Sequence, residues 1–281
     1  MVRTPLLALL LALALPGAAS AGKAFDASTT SGNQLMDYLD HGAWDFRYDA
    51  AREIEHRCIR EADAKLAALV EEDPNTKVRL ASLTALTTCR MDSTLVAAET
   101  MSLVDSELAH RKKAIAIIEK LGNERSGPVL AQVLRGDPDE AVQLKAAVVL
   151  RKRAWRGAEP VQKELAFSAG TGALRVECVR GLVVVDAKHR PLFHKLLRSD
   201  PEDKVRLSLV RILEEAPRPE DKDVLIEMLD DGYSKVQRHA ARALGNLGDR
   251  SVAPILRDKA LAVTDRKVAE EFAEVATRLG G

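Results

Sequence analysis

Residues able to do chemistry are sparse in this 281-residue chain and do not converge. Of its six histidines only His189 and His194 are close, at a five-residue spacing that puts them on different faces of a helix. Zinc needs three or four ligands meeting at one point, and neither His-Glu-x-x-His nor Cys-x-x-Cys occurs. Gly-x-x-x-x-Gly-Lys, which cradles phosphate, does not occur either, and Gly170-Thr171-Gly172 reads as a turn. His110 stands where an apolar residue recurs elsewhere and reads as a buried structural histidine. No catalytic residue, metal site or cofactor is assigned. The chemistry expected is recognition by a surface, and its geometry depends on the elements that carry it.

Those elements repeat. Lys77-Val78-Arg79, Ala141-Val142-Gln143, Lys204-Val205-Arg206 and Lys235-Val236-Gln237 are copies of one segment. With its valine as position zero, the anchors are Phe46, Val78, His110, Val142, Leu174, Val205, Val236 and Val268, always 31 or 32 residues apart. Position four holds Ala50, Ser82, Ala114, Ala146, Cys178, Leu209, Ala240 and Phe272; position eight holds Ile54, Leu86, Ile118, Leu150, Leu182, Leu213, Leu244 and Ala276. Zero, four and eight share one face of a helix, and a second apolar group lies upstream, so each unit reads as helix A, turn, helix B. Gly122, Gly248 and Gly280 close helix B at one offset and are expected as left-handed C-caps. The strand-like run Val183-Val184-Val185 is expected to follow the helical register. One hairpin cannot bury its own apolar face, so neighbours must stack to make a core.

The pattern Asp-Pro-x-x-x-Val-Arg-x-x-Ala-x-x-Ala-Leu resembles a HEAT repeat, particularly the PBS-lyase HEAT-like type, over residues 34–281. The resemblance implies an all-α, right-handed α-solenoid of about eight helical hairpins. It also implies a ladder in which an Asp of each turn bonds an Arg early in helix B. That pairing is matched at Asp73 and Arg79, Asp105 and Arg111, and Asp200 and Arg206. It is incomplete at Asp137/Gln143, Asp231/Gln237 and Ala169/Arg175. Deoxyhypusine hydroxylases share the repeat and carry His-Glu metal pairs, but no histidine here precedes a glutamate. Bilin lyases and DNA-repair glycosylases share it too, and both resemblances imply a cytoplasmic protein.

The N-terminus points elsewhere. Arg3, the apolar run Leu6 to Leu15, the break at Pro16-Gly17 and Ala19-Ser20-Ala21 read as a secretory signal peptide of residues 1–21, cleaved near Ala21. The run is half the ~20 apolar residues that span a bilayer, so no transmembrane segment is expected in the mature chain. Residues 22–33 read as a flexible leader. The expected location is the bacterial envelope, periplasmic or secreted. Lys+Arg and Asp+Glu both number 42, and this neutrality opposes nucleic-acid binding, which needs a basic excess. In an oxidising compartment Cys58 and Cys89, near the ends of adjacent B helices, are expected to form a disulfide, while Cys178 stays a buried thiol.

Positions two and six point away from the buried face and, by the resemblance, line the concave side. There the chain carries Leu80, Leu144, Val148, Val176 and Leu207, with Arg180, Arg211 and Arg242 at one outward position in three successive units. Either the curvature of the stack buries this apolar row, or it is a binding surface for an amphipathic or acidic segment of a protein partner. The functional expectation is an exported, non-enzymatic scaffold or adaptor that binds a protein partner through the concave face. The alternative is a bilin-lyase-like or other enzyme-associated repeat protein.

Overall fold

The structure, a computed structural model, describes residues 26–185 and 187–280. Among these residues lie sixteen α-helices, short 3-10 turns and no strand. Units one to four are α1 (Gly32–Tyr38) with α2 (Trp44–Arg57), α3 (Asp63–Glu72) with α4 (Thr76–Thr88), α5 (Thr94–Val104) with α6 (Leu108–Leu121), and α7 (Gly127–Gly136) with α8 (Glu140–Arg153). Units five to eight are α9 (Glu159–Ser168) with α10 (Gly172–Val185), α11 (Arg190–Ser199) with α12 (Asp203–Glu215), α13 (Lys222–Glu227) with α14 (Ser234–Leu247), and α15 (Ala253–Ala262) with α16 (Arg266–Gly280). The strand-like valines lie at the end of α10.

The period follows from the core. Every residue at positions four and eight is buried, and so is every anchor except Phe46, which is half-buried and stacks on His41 at 4.3 Å. Small residues at position four let α2, α6, α8 and α14 approach their neighbours, while the larger side chains at position eight each contribute about 1.5 to 3 kcal/mol on burial. His110 is buried as an anchor, with Nδ1 3.2 Å from Asp105.

The chain is ordered from further upstream than the expected leader boundary. Residues 27–29 form a 3-10 turn, and Ser31 and Gln34 close a capping box that starts α1. Arg57 donates to the carbonyls of Ala27, Ser28 and Thr30 at 2.7–2.9 Å, which ties this stretch to the end of α2. The expected signal peptide, residues 1–21, lies outside the described residues.

The ladder exists, but its rungs run between units. Arg79 donates from Nε and Nη2 to Asp105 of the next unit at 2.7 and 3.1 Å, and within its own unit reaches only the main-chain carbonyl of Asp73 at 2.9 Å. Arg47 to Asp73, Arg111 to Asp137, Arg175 to Asp200 and Arg206 to Asp231 repeat this arrangement. Each aspartate also accepts the main-chain N–H two residues on, closing the turn before helix B. The register of the rungs regroups the gaps. Gln143 faces the position of Ala169, and Gln237 that of Val263, so each junction without an arginine is also without an aspartate. Gln143 and Gln237 keep the bond to their own unit's carbonyl, both at 2.7 Å.

Of the three glycines expected as left-handed caps, only Gly248 is one, with φ of 77°. Gly122 has φ of -65°, and its constraint is crowding: a Cβ there would stand 2.6 Å from the Ile118 carbonyl oxygen and 2.8 Å from the Trp155 ring. Gly280 lies inside α16. Left-handed positions instead fall on Cys58, Arg90 and Ala154.

Candidate functional site

Three successive B helices, α8, α10 and α12, build an open hollow of about 660 Å³. Its floor is Leu144 and Val148 from α8, Val176 from α10 and Leu207 from α12. All four are half-buried, and Leu144, Val176 and Leu207 pack against the core. The two readings of the outward row therefore meet here, with bases in the core and tips at the surface. Along the rim stand Glu177 and Arg180 from α10, Glu202 before α12, and Lys204, Ser208 and Arg211 on α12.

One wall of the hollow is the turn Gly170-Thr171-Gly172 between α9 and α10. This turn follows Ala169, where five other units carry the ladder aspartate, so it has no carboxylate at that position to accept the Thr171 N–H. Thr171 instead donates its hydroxyl to Glu140 at the start of α8. Gly172 leaves room for the Glu202 carboxylate, since a Cβ would sit 2.0 Å from its Oε2.

The rim charges are unequally satisfied. Glu177 accepts from Arg151 at 2.7 Å and from Arg180 at 3.2 Å, and Arg180 also reaches Ser208 at 3.3 Å. Glu202 pairs with Arg175 at 3.1 Å. Lys204 and Arg211 are exposed and make no hydrogen bond or ion pair among the described residues. Both acids on the rim are thus held by arginines, while two cations are held by nothing.

Six of the eight expected partner-binding residues meet in this hollow: Leu144, Val148, Val176, Arg180, Leu207 and Arg211. Leu80 belongs to a second hollow of about 610 Å³ with Trp44, Tyr48, Arg52 and Thr84. Arg242 lies in a third, polar hollow, where its guanidinium donates to Glu271 at 2.6 and 2.7 Å. That bond, against the opposing effect of burial, holds the Glu271 carboxyl below its usual range. Arg180, Arg211 and Arg242 therefore do not form one patch. Lys204 is a lining residue that the pattern of positions two and six does not reveal, since it sits just before the anchor Val205.

The two histidines that are close in sequence each sit beside a carboxylate. His194 Nε2 lies 2.7 Å from Asp221, a fully buried carboxylate that also accepts from Arg190 and from the Arg218 N–H. His189 is buried with Nε2 3.4 Å from Glu159. Among the described residues no group of three or more His, Cys, Asp or Glu is placed to hold a metal ion. Cys58 and Cys89 form a disulfide with Cα atoms 5.2 Å apart, between the C-terminal ends of α2 and α4. Cys178 is a buried thiol, pushed up to about 12 by burial and by the neighbouring Glu177 charge.

A family model of HEAT repeats matches residues 64–151 and 190–276, more than half of the chain. The stretch between the two matches holds α9, α10 and the turn that walls the hollow. No curated protein sequence matches the chain. Among solved structures, YibA of Escherichia coli is 19% identical, with 90% of this chain and 94% of that chain covered at a TM-score of 0.50, a likeness of fold. The complex of CpcE and CpcF of phycocyanin lyase from Nostoc is 17% identical over 92% and 98% of the two chains, at a TM-score of 0.35, too distant to argue from. With the eight stacked hairpins and the inter-unit ladder, the sequence match leads to one conclusion: the chain belongs to the HEAT repeat family.

Proposed function

We propose that this chain is an exported, non-enzymatic scaffold that docks a protein partner on the row of B helices. The observation that carries the reading is the hollow on α8, α10 and α12, where apolar tips reach the surface beside unpaired cations. A half-buried apolar floor with a charged rim is the anatomy of a protein contact, with an apolar centre and a polar edge. No charged groups converge there on a reacting atom, as acid–base catalysis requires. Export is supported by the Cys58–Cys89 disulfide, since such bonds persist in oxidising compartments. The signal-like N-terminus adds to that reading.

The test combines stability with capture. Val148→Ser with Leu207→Ser is expected to abolish capture of a defined envelope protein while shifting the melting temperature by only a few degrees, because both side chains are half-buried. Fractionation of the expressing cell is expected to place the chain outside the cytoplasm. Capture that survives the double change refutes docking at this hollow, and a cytoplasmic pool with reduced Cys58 and Cys89 refutes export.

A further inference from the structure

We propose that the hollow of α8, α10 and α12 takes an acidic amphipathic helix of the partner protein, laid along the stack. This rests on the docking reading and adds the chemistry and shape of what docks.

The sign of the partner's charge follows from the rim. Arg151 and Arg180 are held by Glu177, and Arg175 by Asp200 and Glu202. Lys204 and Arg211 stand exposed beside Leu207, with no ion pair among the described residues. The formal net charge of the chain is zero, so the cationic excess on this rim is local. A carboxylate on the partner completes both cations without disturbing an existing pair.

The shape follows from spacing. Packed helices lie about 8 to 10 Å apart, so Leu144, Val176 and Leu207, all at position two, present apolar contacts at that repeat on three successive helices. An extended peptide shows one face every second residue, at about 6.6 Å and then 13 Å, and misses the repeat. A helix rises about 1.5 Å per residue, so residues i, i+7 and i+14 share a face at steps of about 10.5 Å. Three heptad-spaced apolar residues therefore reach the three B helices, with acidic residues on the flank facing Lys204 and Arg211. The junction of Gln143 and Ala169 has no rung, so the wall at Gly170-Thr171-Gly172 is not drawn in by an aspartate as the turns after Asp73, Asp105, Asp137, Asp200 and Asp231 are.

The probe is a fluorescein-labelled 18-residue helical peptide with leucines at i, i+7 and i+14 and flanking glutamates. Its two relatives replace the glutamates by lysine or the leucines by serine. Anisotropy titration at low salt is expected to show the acidic peptide binding at least tenfold tighter than either relative. Lys204→Glu with Arg211→Glu, both exposed and so harmless to the fold, is expected to reverse the preference in favour of the lysine peptide. Arg242→Glu, in another hollow, is expected to leave binding unchanged. Equal binding of acidic and basic peptides, no reversal by the double variant, or no binding of the acidic peptide at millimolar concentration overturns the proposal. If the peptide fails while Val148→Ser with Leu207→Ser still loses the captured partner, docking stands and the acidic helix falls. If neither responds, both fall.

Discussion

The inter-unit ladder makes a sharp prediction at the junction of units three and four. Arg111→Gln imitates Gln143, and Asp137→Ala imitates Ala169, so the double change rebuilds a junction the chain already uses elsewhere. Arg111 donates to Asp137 at 2.7 and 3.0 Å, with side chains only 8% and 3% exposed. In Arg111→Gln the glutamine keeps the bond to the Asp105 carbonyl, so that contribution cancels. What remains is a buried carboxylate whose surviving partner is the Asp139 N–H at 2.8 Å, and stranding a buried charge costs about 3 to 5 kcal/mol. Asp137→Ala strands the guanidinium instead and opens the turn, for a similar cost. In the double variant no charge is stranded, and the loss reduces to the turn bond, about 0.5 to 2 kcal/mol by analogy with a lost cap.

Urea unfolding of the disulfide-intact chain, followed by far-ultraviolet circular dichroism, measures all four corners of this cycle. The double variant is expected to be more stable than either single one, with a coupling of several kcal/mol. An unchanged m-value guards against a stack that has split into independently melting halves. Additive single effects, or single losses under 1 kcal/mol, refute the claim that the rungs couple neighbouring units.

Three further outcomes are expected. Removing the 31-residue disulfide loop by Cys58→Ser with Cys89→Ser should cost about 3 to 4 kcal/mol by loop entropy, and thiol counting on the unfolded, non-reduced wild type should find one free thiol, Cys178, that resists alkylation while folded. Gly122→Ala should lower stability by about 1 to 3 kcal/mol because its Cβ meets Ile118 and Trp155, whereas Gly136→Ala, with nothing near its Cβ, should raise it by about 0.4 to 1 kcal/mol; thermal melts of the pair separate crowding from backbone entropy. Burial pushes the Asp105 carboxyl up, but bonds from Arg79 and the Glu107 N–H and the charges of His110 and Arg79 outweigh it and hold it low. A depressed carboxyl stabilises fully above its unfolded pKa of about 3.9, so the advantage of wild type over Asp105→Asn should shrink as pH falls below about 4.

The period was legible because the core writes it directly into the chain. A helix B that packs on both neighbours needs apolar groups at zero, four and eight, and 31–32 residues return the chain to the same place. The direction of the rungs was not legible. An aspartate five residues before the anchor and an arginine one residue after recur in most units, and such a repeat looks the same whether they pair within a unit or with the next one. The break in the outward row, by contrast, was readable: Lys112 stands at position two of unit three, between Leu80 and Leu144, and the structure assigns those leucines to different hollows. The fate of Arg242 was hidden because Glu271 comes from α16 at a position outside the scan.

The two gaps in the ladder also change meaning once the rungs are seen to cross between units. Within units they are scattered defects, at His41, Gln143, Ala169 and Gln237, with both members missing in unit eight. Across units they are two junctions at which both members of the pair have been replaced, Gln143 with Ala169 and Gln237 with Val263. Either replacement alone strands a buried charge, whereas both together strand none. Each omitted rung thus changes two residues 26 apart, and at the first such junction the turn without its aspartate is the one that walls the hollow on α8, α10 and α12. Unit five gives up a turn closed by an aspartate at the position where the surface opens beside the exposed cations Lys204 and Arg211.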